Sequence, residues 1–363
     1  MNIDMDWLAR KGKLTDIIKY HNKGKNCSKL AMTYAAQFGH LNVVKWLHEN
    51  RNEGCTVNAM DYATANGHFE ILKFLHENRT EGCTRLAMEL AAEKGHLDIV
   101  KWLHENRSER CSTRAMNWAA CSGHLEIVKW LHENRFEGCT HIAMDYAAER
   151  GHLEVVKWLH ENRTEGCTTD AMDWAAERGH LEVVIFLHEN RTEGCTINAM
   201  DRAAKYGYLE IVKWLHENRT EGCTSLAISF AAFHGFIDVV KWLHENRTEG
   251  CNHLAMDWAI LNSHIEIIYW LHKNRSEGCS VWGFQEAVLQ GKTEIISFLF
   301  QNYKHIVAKV NVETYEKLLP MIQNYLRTIF EKIAKENIVR EFLVKNLVYH
   351  PSSCYIKRIA ENF

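Results

Sequence analysis

The chain has 363 residues, 46% of them hydrophobic and 25% charged, and its 46 acids and 43 bases leave a net charge of −3. This is the composition of a soluble folded protein, and the interleaved charges form no basic patch large enough for a phosphate backbone, so no nucleic-acid partner is expected. No run of 18 apolar residues exists, and Met1 to Trp7 carries acids instead of an apolar core, which argues against a membrane span, a membrane partner and a signal peptide. The 12 cysteines are then expected to be free thiols in a reducing compartment, the cytoplasm.

Taken in chain order, the sequence is periodic. Gly12 is followed at 27 residues by Gly39, and then at steps of 28 by Gly67, Gly95, Gly123, Gly151, Gly179, Gly207 and Gly235, with Ser263 substituting once before Gly291. This spacing predicts about eleven units over residues 1–300, followed by a C-terminal segment, 301–363. Residues 167–194 illustrate one unit. Thr168 or Asp170 can cap a first helix, helix A, because a short oxygen side chain accepts from an orphan N–H. Ala171, Met172, Ala175 and Ala176 form one stripe of that helix. Gly179 supplies the positive φ of a tight turn. Leu181, Val184, Leu187 and His188 line one face of a second helix, helix B, with Glu182, Ile185 and Glu189 opposite. In other copies the Ile185 position is lysine, as at Lys129, Lys157 and Lys213, suited to pairs such as Lys129 with Glu133. A unit this short cannot bury its own stripes, and stacking on a neighbour does so.

The stretches Ala171-Met172-Asp173-Trp174-Ala175-Ala176 and Gly179-His180-Leu181-Glu182-Val183-Val184 resemble the ankyrin consensus, Thr-Pro-Leu-His-x-Ala-Ala-x-x-Gly-His-x-x-Val-Val. The resemblance recurs in all units, over about 300 of the 363 residues. It is strongest to the short, Trp-Leu-His-Glu-Asn-rich ankyrin arrays of amoebae, oomycetes and large DNA viruses of protists. It implies an all-α, ankyrin-like helix-turn-helix solenoid that works as a protein-protein interaction scaffold, a monomer without cofactor or catalytic residues, holding a protein partner on its concave face. The unit is about five residues shorter than the usual 33. The deficit falls where ankyrin repeats project a β-hairpin finger, which is therefore expected to be reduced or absent. The family's Pro is Ala here, and its His is mostly Asp.

Several recurrences could carry chemistry. Ten cysteines, Cys27 to Cys279, sit on the 28-residue lattice. A metal array or a disulfide ladder competes with a small buried loop residue. Equivalent positions should lie roughly 10 Å apart, too far for a disulfide, and no Cys-x-x-Cys pair starts a zinc site. Histidines recur after the turn glycine, His40 to His180, and in Trp-Leu-His-Glu-Asn, His48 to His272. The first series braces the turn in the family, and the second can reach the last carbonyls of helix B. The aromatic columns, among them Trp118, Tyr146, Trp174 and Trp130, Trp158, Trp214, fit packing between repeats better than base stacking. Asn-x-Ser/Thr at Asn78, Asn162, Asn190 and elsewhere reads as asparagine in a left-handed C-cap, since glycosylation needs a secretory route.

In a near-identical array, specificity resides where the copies differ. One variable column precedes the turn glycine (Glu149-Arg150, Glu177-Arg178, Lys205-Tyr206, Phe233-His234, Leu261-Asn262). The other precedes the helix A alanine (Arg85-Leu86, His141-Ile142, Ile197-Asn198, His253-Leu254). By resemblance both map to the partner-holding face. The middle copies place charges there, whereas the copies from 202 to 263 place Arg202, Tyr206, Tyr208, Phe233, His234, Phe236, Leu261 and Asn262, and these eight are the candidate protein-binding residues. Beyond Phe300 the repeat decays into helix-like spacing at Tyr315, Leu318, Leu319, Ile322, Leu326, Ile329, Phe330, Ile333 and Ile338, with Pro320 at a start or kink. That segment is read as a helical cap on the last repeat. An alternative role is a docking module that would make the chain a substrate-recruiting adaptor of a ubiquitin ligase.

Overall fold

The computed structural model describes residues 4–307, and every regular element among them is an α-helix, 23 in number. They form two compact units, Met1–Ala227 and Ile228–Phe363, whose boundary falls within the helix Leu226–His234. The expected cap and the adaptor segment fall mostly on residues 308–363, outside the described residues.

Within each unit the pattern is the same: each helix A packs on the next helix A and on its own helix B. In the pair Thr169–Arg178 and Leu181–Asn190, the Thr168 side chain accepts from the Asp170 N–H, capping helix A as expected from its short hydroxyl. Gly179 then turns the chain at φ 87°, and the His180 amide donates back to Ala175 O at 2.9 Å, which closes the helix end. The same turn recurs with Ser263 at φ 63°, the one non-glycine with positive φ among the described residues. A hydroxyl residue is tolerated there at a small steric cost.

Ala171, Met172, Ala175, Ala176, Val183, Val184 and Leu187 are all at most 2% exposed. The sequence stripe is therefore right for helix A and shifted in helix B, where Val183 is buried and Leu181 only half-buried. The shift arises because helix B is covered on two sides, by its own helix A and by the neighbouring helix B.

Two local expectations are corrected. The asparagines that end helix B do not adopt a left-handed conformation. Asn190 closes the helix with its side chain, Nδ2 donating to Phe186 O at 2.8 Å, and Arg191 continues in an extended conformation at φ −125°. Lys129 pairs with Glu126 at 2.9 Å instead of Glu133, one turn toward the N-terminus, an exposed pair of small energetic weight. No strand occurs among the described residues, so helix B leads to the next helix A through a short loop in place of a finger.

Truncating the methionine column should be costly, because Met144 and Met172 are 2% and 1% exposed inside the A-helix stack. Met144→Ala or Met172→Ala is expected to lose about 2–5 kcal/mol and to unfold part of the array before the rest, since coupling runs only between neighbours. Urea denaturation followed by circular dichroism measures this, and curves superposable on the parent's would remove the column from the core.

Candidate protein-binding face

Three ladders of polar contacts fasten successive repeats and set the framework against which a face can be recognised. The first starts from a carboxylate buried in helix A. Asp145 accepts from the Thr168 amide (2.8 Å) and hydroxyl (3.0 Å), 23 residues on, and Asp61 with Thr84, Glu89 with Ser112 and Asp201 with Thr224 repeat the arrangement. Asn117 achieves it without charge, Oδ1 accepting from the Thr140 amide and Nδ2 donating to its hydroxyl. Burial pushes the carboxyls of Asp61, Asp145, Asp173 and Asp257 above the usual range, opposed by these hydrogen bonds.

The second ladder is the post-turn histidine. His68 Nε2 bonds Gln37 O at 3.2 Å and His124 Nε2 bonds Glu93 O at 3.1 Å, so each ring donates to the helix A end of the preceding repeat. The ring lies on the preceding turn glycine, and a Cβ on Gly151 would stand 2.5 Å from His180. Glycine is thus required twice, by its positive φ and by this close approach. Burial holds His68, His152 and His180 below the ordinary imidazole range.

The third ladder is in the loops. Arg163 pairs with Glu165 and passes Nη1 to His132 Nδ1 of the preceding repeat at 3.2 Å. The second histidine series therefore meets a loop arginine, and the expected carbonyl bond is replaced by one that only the stacked neighbour can supply. The lattice cysteines are free thiols, Cys55 and Cys167 beside loop arginines and Cys279 beside Tyr303, and burial pushes these three up to about 12. A thiol so protonated is neither a nucleophile nor a ready metal ligand. Among the described residues no group of three or more His, Cys, Asp and Glu side chains stands close enough to hold a metal ion.

The eight candidate residues lie outside these ladders or at their edges. In the first unit, Arg202 is half-exposed and donates to Glu177 at 2.5 Å, and Lys205 Nζ lies 4.9 Å over the Tyr206 ring. Tyr208 is 37% exposed, yet its ring lies on Gly179 as the imidazoles do elsewhere. In the second unit, Phe233 is half-buried, edge-on to Trp258 at 5.8 Å and to His234 at 4.8 Å, and His234 stacks on Phe236 at 6.3 Å. Phe230 stacks on Trp258 at 5.6 Å. Leu261 is half-buried, while Asn262 is exposed and donates to Trp258 O at 3.2 Å. Phe233, His234 and Phe236 thus form a chain of ring contacts that meets Trp258 through Phe233. The Glu149-Arg150 and Glu177-Arg178 charges are not merely solvated, because Arg178 reaches back to Glu149 at 3.0 Å.

Sequence reasoning missed three exposed apolar side chains. Trp282 and Leu289, 40% and 53% exposed, share an outer face of the helix Val281–Leu289. Phe136 is 74% exposed in a loop where the other copies carry Asn, Ser or Thr. Their signal in the sequence is a departure from a column outside the two variable ones, with Phe136 among Asn, Ser and Thr in other copies.

Repeated A and B helices, joined by hydrogen bonds that reach only the adjacent repeat, define each unit as a helical-repeat array. A family profile described as ankyrin repeats (many copies) matches residues 32–76, 88–132, 144–188 and 200–244. The chain belongs to the ankyrin-repeat family. No curated protein matches the sequence. Similar solved structures include the pentatricopeptide repeat protein PPR10 in complex with an 18-nt psaJ RNA element, at 11% identity and TM-score 0.45, over 96% of this chain and 58% of that one. They also include the pentatricopeptide repeat protein PPR10 from maize, at 10% identity and TM-score 0.38, over 99% of this chain and 62% of that one. The chain thus spans about three-fifths of the length of these structures. The exclusion of nucleic acid made from charge is corrected here: helical-repeat structures similar to this chain include RNA complexes, and a small net charge says nothing of a local surface. At these values the likeness itself assigns no ligand. No helix among the described residues is long and apolar enough to cross a membrane.

The two kinds of carboxylate should respond oppositely to pH. The Arg191 pair and the Cys167 amide lower Glu193 to about 2 against the burial that raises it, so its contribution is present above about 4.5 and lost as pH falls toward 2. Asp173 is raised by burial, so its contribution is full below its unfolded value of 3.8 and declines as pH rises through the folded pKa. In urea melts, Glu193→Gln should destabilise at pH 7 and have little effect near pH 2. Asp173→Asn, which reproduces the Asn117 arrangement, should match or exceed the parent at pH 7 and lose that advantage in acid. Parallel pH profiles for the two variants would contradict the assignment.

Proposed function

We propose that the protein is a non-catalytic scaffold that binds a protein partner through the outward face of its A helices. The observation that carries this reading is a change of character on that face against a constant framework. In the second unit an i, i+4, i+7 stripe on successive A helices carries Phe230 and Phe233 at its second and third positions, Leu254, Trp258 and Leu261 at all three, and Trp282 and Leu289 at its first and third. In the first unit the same columns read Tyr146 with Glu149, Trp174 with Glu177, and Arg202 with Lys205, tied by cross-repeat ion pairs. Partly exposed aromatic and aliphatic side chains gathered on one face are the usual anchors of an interface. The proposed contact residues are Arg202, Tyr206 and Tyr208 in the first unit, and Phe233, His234, Phe236, Leu261 and Asn262 in the second.

The test begins with a partner isolated on the full chain and its affinity measured by calorimetry. Phe233→Ala and Tyr206→Ala are expected to weaken binding roughly thirtyfold, the loss typical of a truncated anchor, while Arg150→Ala and Arg178→Ala change it little. If the arginine variants lose affinity and the aromatic ones do not, the recognition face lies on the charged repeats. If a single-stranded RNA oligonucleotide binds the same residues more tightly than any protein, the partner class itself is wrong.

A further inference from the structure

The loop ladder of the first unit has two settings, and one aromatic residue tracks which is adopted. At five steps there the loop arginine donates Nη1 to a histidine Nδ1 of the preceding repeat: Arg51 to His21, Arg107 to His76, Arg135 to His104, Arg163 to His132 and Arg219 to His188, at 3.2–3.4 Å. The imidazole must be the acceptor, because a guanidinium has only donors. At each of these steps the histidine packs edge-on against a tryptophan of the next helix B, namely Trp46, Trp102, Trp130, Trp158 and Trp214.

At two steps the tryptophan is a phenylalanine. His48 meets Phe74, His160 meets Phe186, and in both cases the histidine Nδ1 is buried with no hydrogen-bond partner. At the same two steps the loop glutamate takes a backbone N–H of the preceding repeat, Cys55 N to Glu81 Oε1 at 3.0 Å and Cys167 N to Glu193 Oε1 at 3.4 Å. Glu81 and Glu193 are also the loop glutamates brought down to about 2. What sets the two smaller-ring steps apart is therefore the histidine left without a donor, beside an Arg-Glu pair held on the cysteine amide.

We propose that the Phe74 and Phe186 steps are built-in opening seams, dividing the first unit into blocks that open independently: the helices up to Asn50, those from Asn58 to Asn162, and those from Thr169 onward. A buried nitrogen without a donor and a smaller packed ring both weaken a repeat interface, and in an array coupled only between neighbours the weakest interface opens first. The Trp steps hold each block together, so partner-induced bending or fraying concentrates at two positions instead of spreading along the unit.

Amide hydrogen exchange by mass spectrometry on the full chain tests this. Phe186→Trp should slow exchange roughly tenfold in the helices Leu153–Asn162 and Leu181–Asn190, the effect of satisfying one buried polar atom. The reverse change, Trp130→Phe, should create a new seam and speed exchange roughly tenfold in Leu97–Asn106 and Leu125–Asn134, leaving the block beyond Thr169 unaffected. It also carries the test if a tryptophan at 186 overpacks. Unchanged exchange at Trp130→Phe, or acceleration spread evenly over the unit, overturns the proposal.

Discussion

The buried carboxylate of helix A can be satisfied only from the next repeat, and much of the structure follows from that dependence. Asp145 lies 3% exposed, where an ionised group without partners would be prohibitive. The Thr168 hydroxyl and amide supply those partners while the same hydroxyl caps the following helix A. One side chain therefore starts a helix and fastens it to its predecessor. The histidine on the turn glycine and the arginine on the helix B histidine operate in the same sense, each reaching about one repeat back. No repeat is complete alone, so the chain is stable as a stack and fails locally, interface by interface.

That logic also explains what could be read from the sequence and what could not. The period was legible as a recurrence of identical residues at steps of 28, and the turn glycines, the methionine and alanine stripe and the cap at Thr168 because each is a property of residues within four or five positions of one another. Asp at the family's His position was visible only as a departure. Its role needs Thr196 beside Asp173, a neighbour 23 residues away that only stacking supplies. The histidine at the end of helix B was assigned to local carbonyls for the same reason, since its partner arginine comes 31 residues later. Lys129 differs from its expected pairing at closer range, because partners one turn before and one turn after it on a helix surface differ by only a few tenths of a kcal/mol, and Asn190 because its side chain satisfies the carbonyl of Phe186 without a left-handed backbone.

The candidate face was partly legible. Comparing copies singled out Phe233, His234 and Phe236, which the structure joins in one chain of ring contacts leading to Trp258. The same comparison could not tell replacement from substitution in kind. Tyr208 stands where histidine usually stands and lies on Gly179 as a histidine would, so part of its character is framework. Arg202 replaces an aromatic, but its charge is engaged by Glu177. The clearest contrast is therefore in the second unit, where Phe233 and Leu261 are apolar departures in the columns before the turn glycine that carry Glu149 and Glu177 in the first unit.

Constancy in this array is itself a physical argument about where variation can be used. Every column that meets a neighbouring repeat is held by two constraints at once, as the turn glycine is held by its φ and by the ring above it. A change in such a column must be matched 23 to 31 residues away, and the Trp-to-Phe exchanges at 74 and 186 show the cost when it is not, an imidazole nitrogen left buried without a donor. The outer positions of helix A are tied to the next repeat more loosely, by ring stacking as between Tyr146 and Trp174 or Phe230 and Trp258 and by partly exposed ion pairs as between Arg178 and Glu149. Phe230, Leu254 and Trp282 can differ from Tyr146, Asp170 and Asn198 without disturbing any ladder. Recognition can therefore be rewritten on that face one residue at a time, whereas the stack that presents it changes only in coupled pairs.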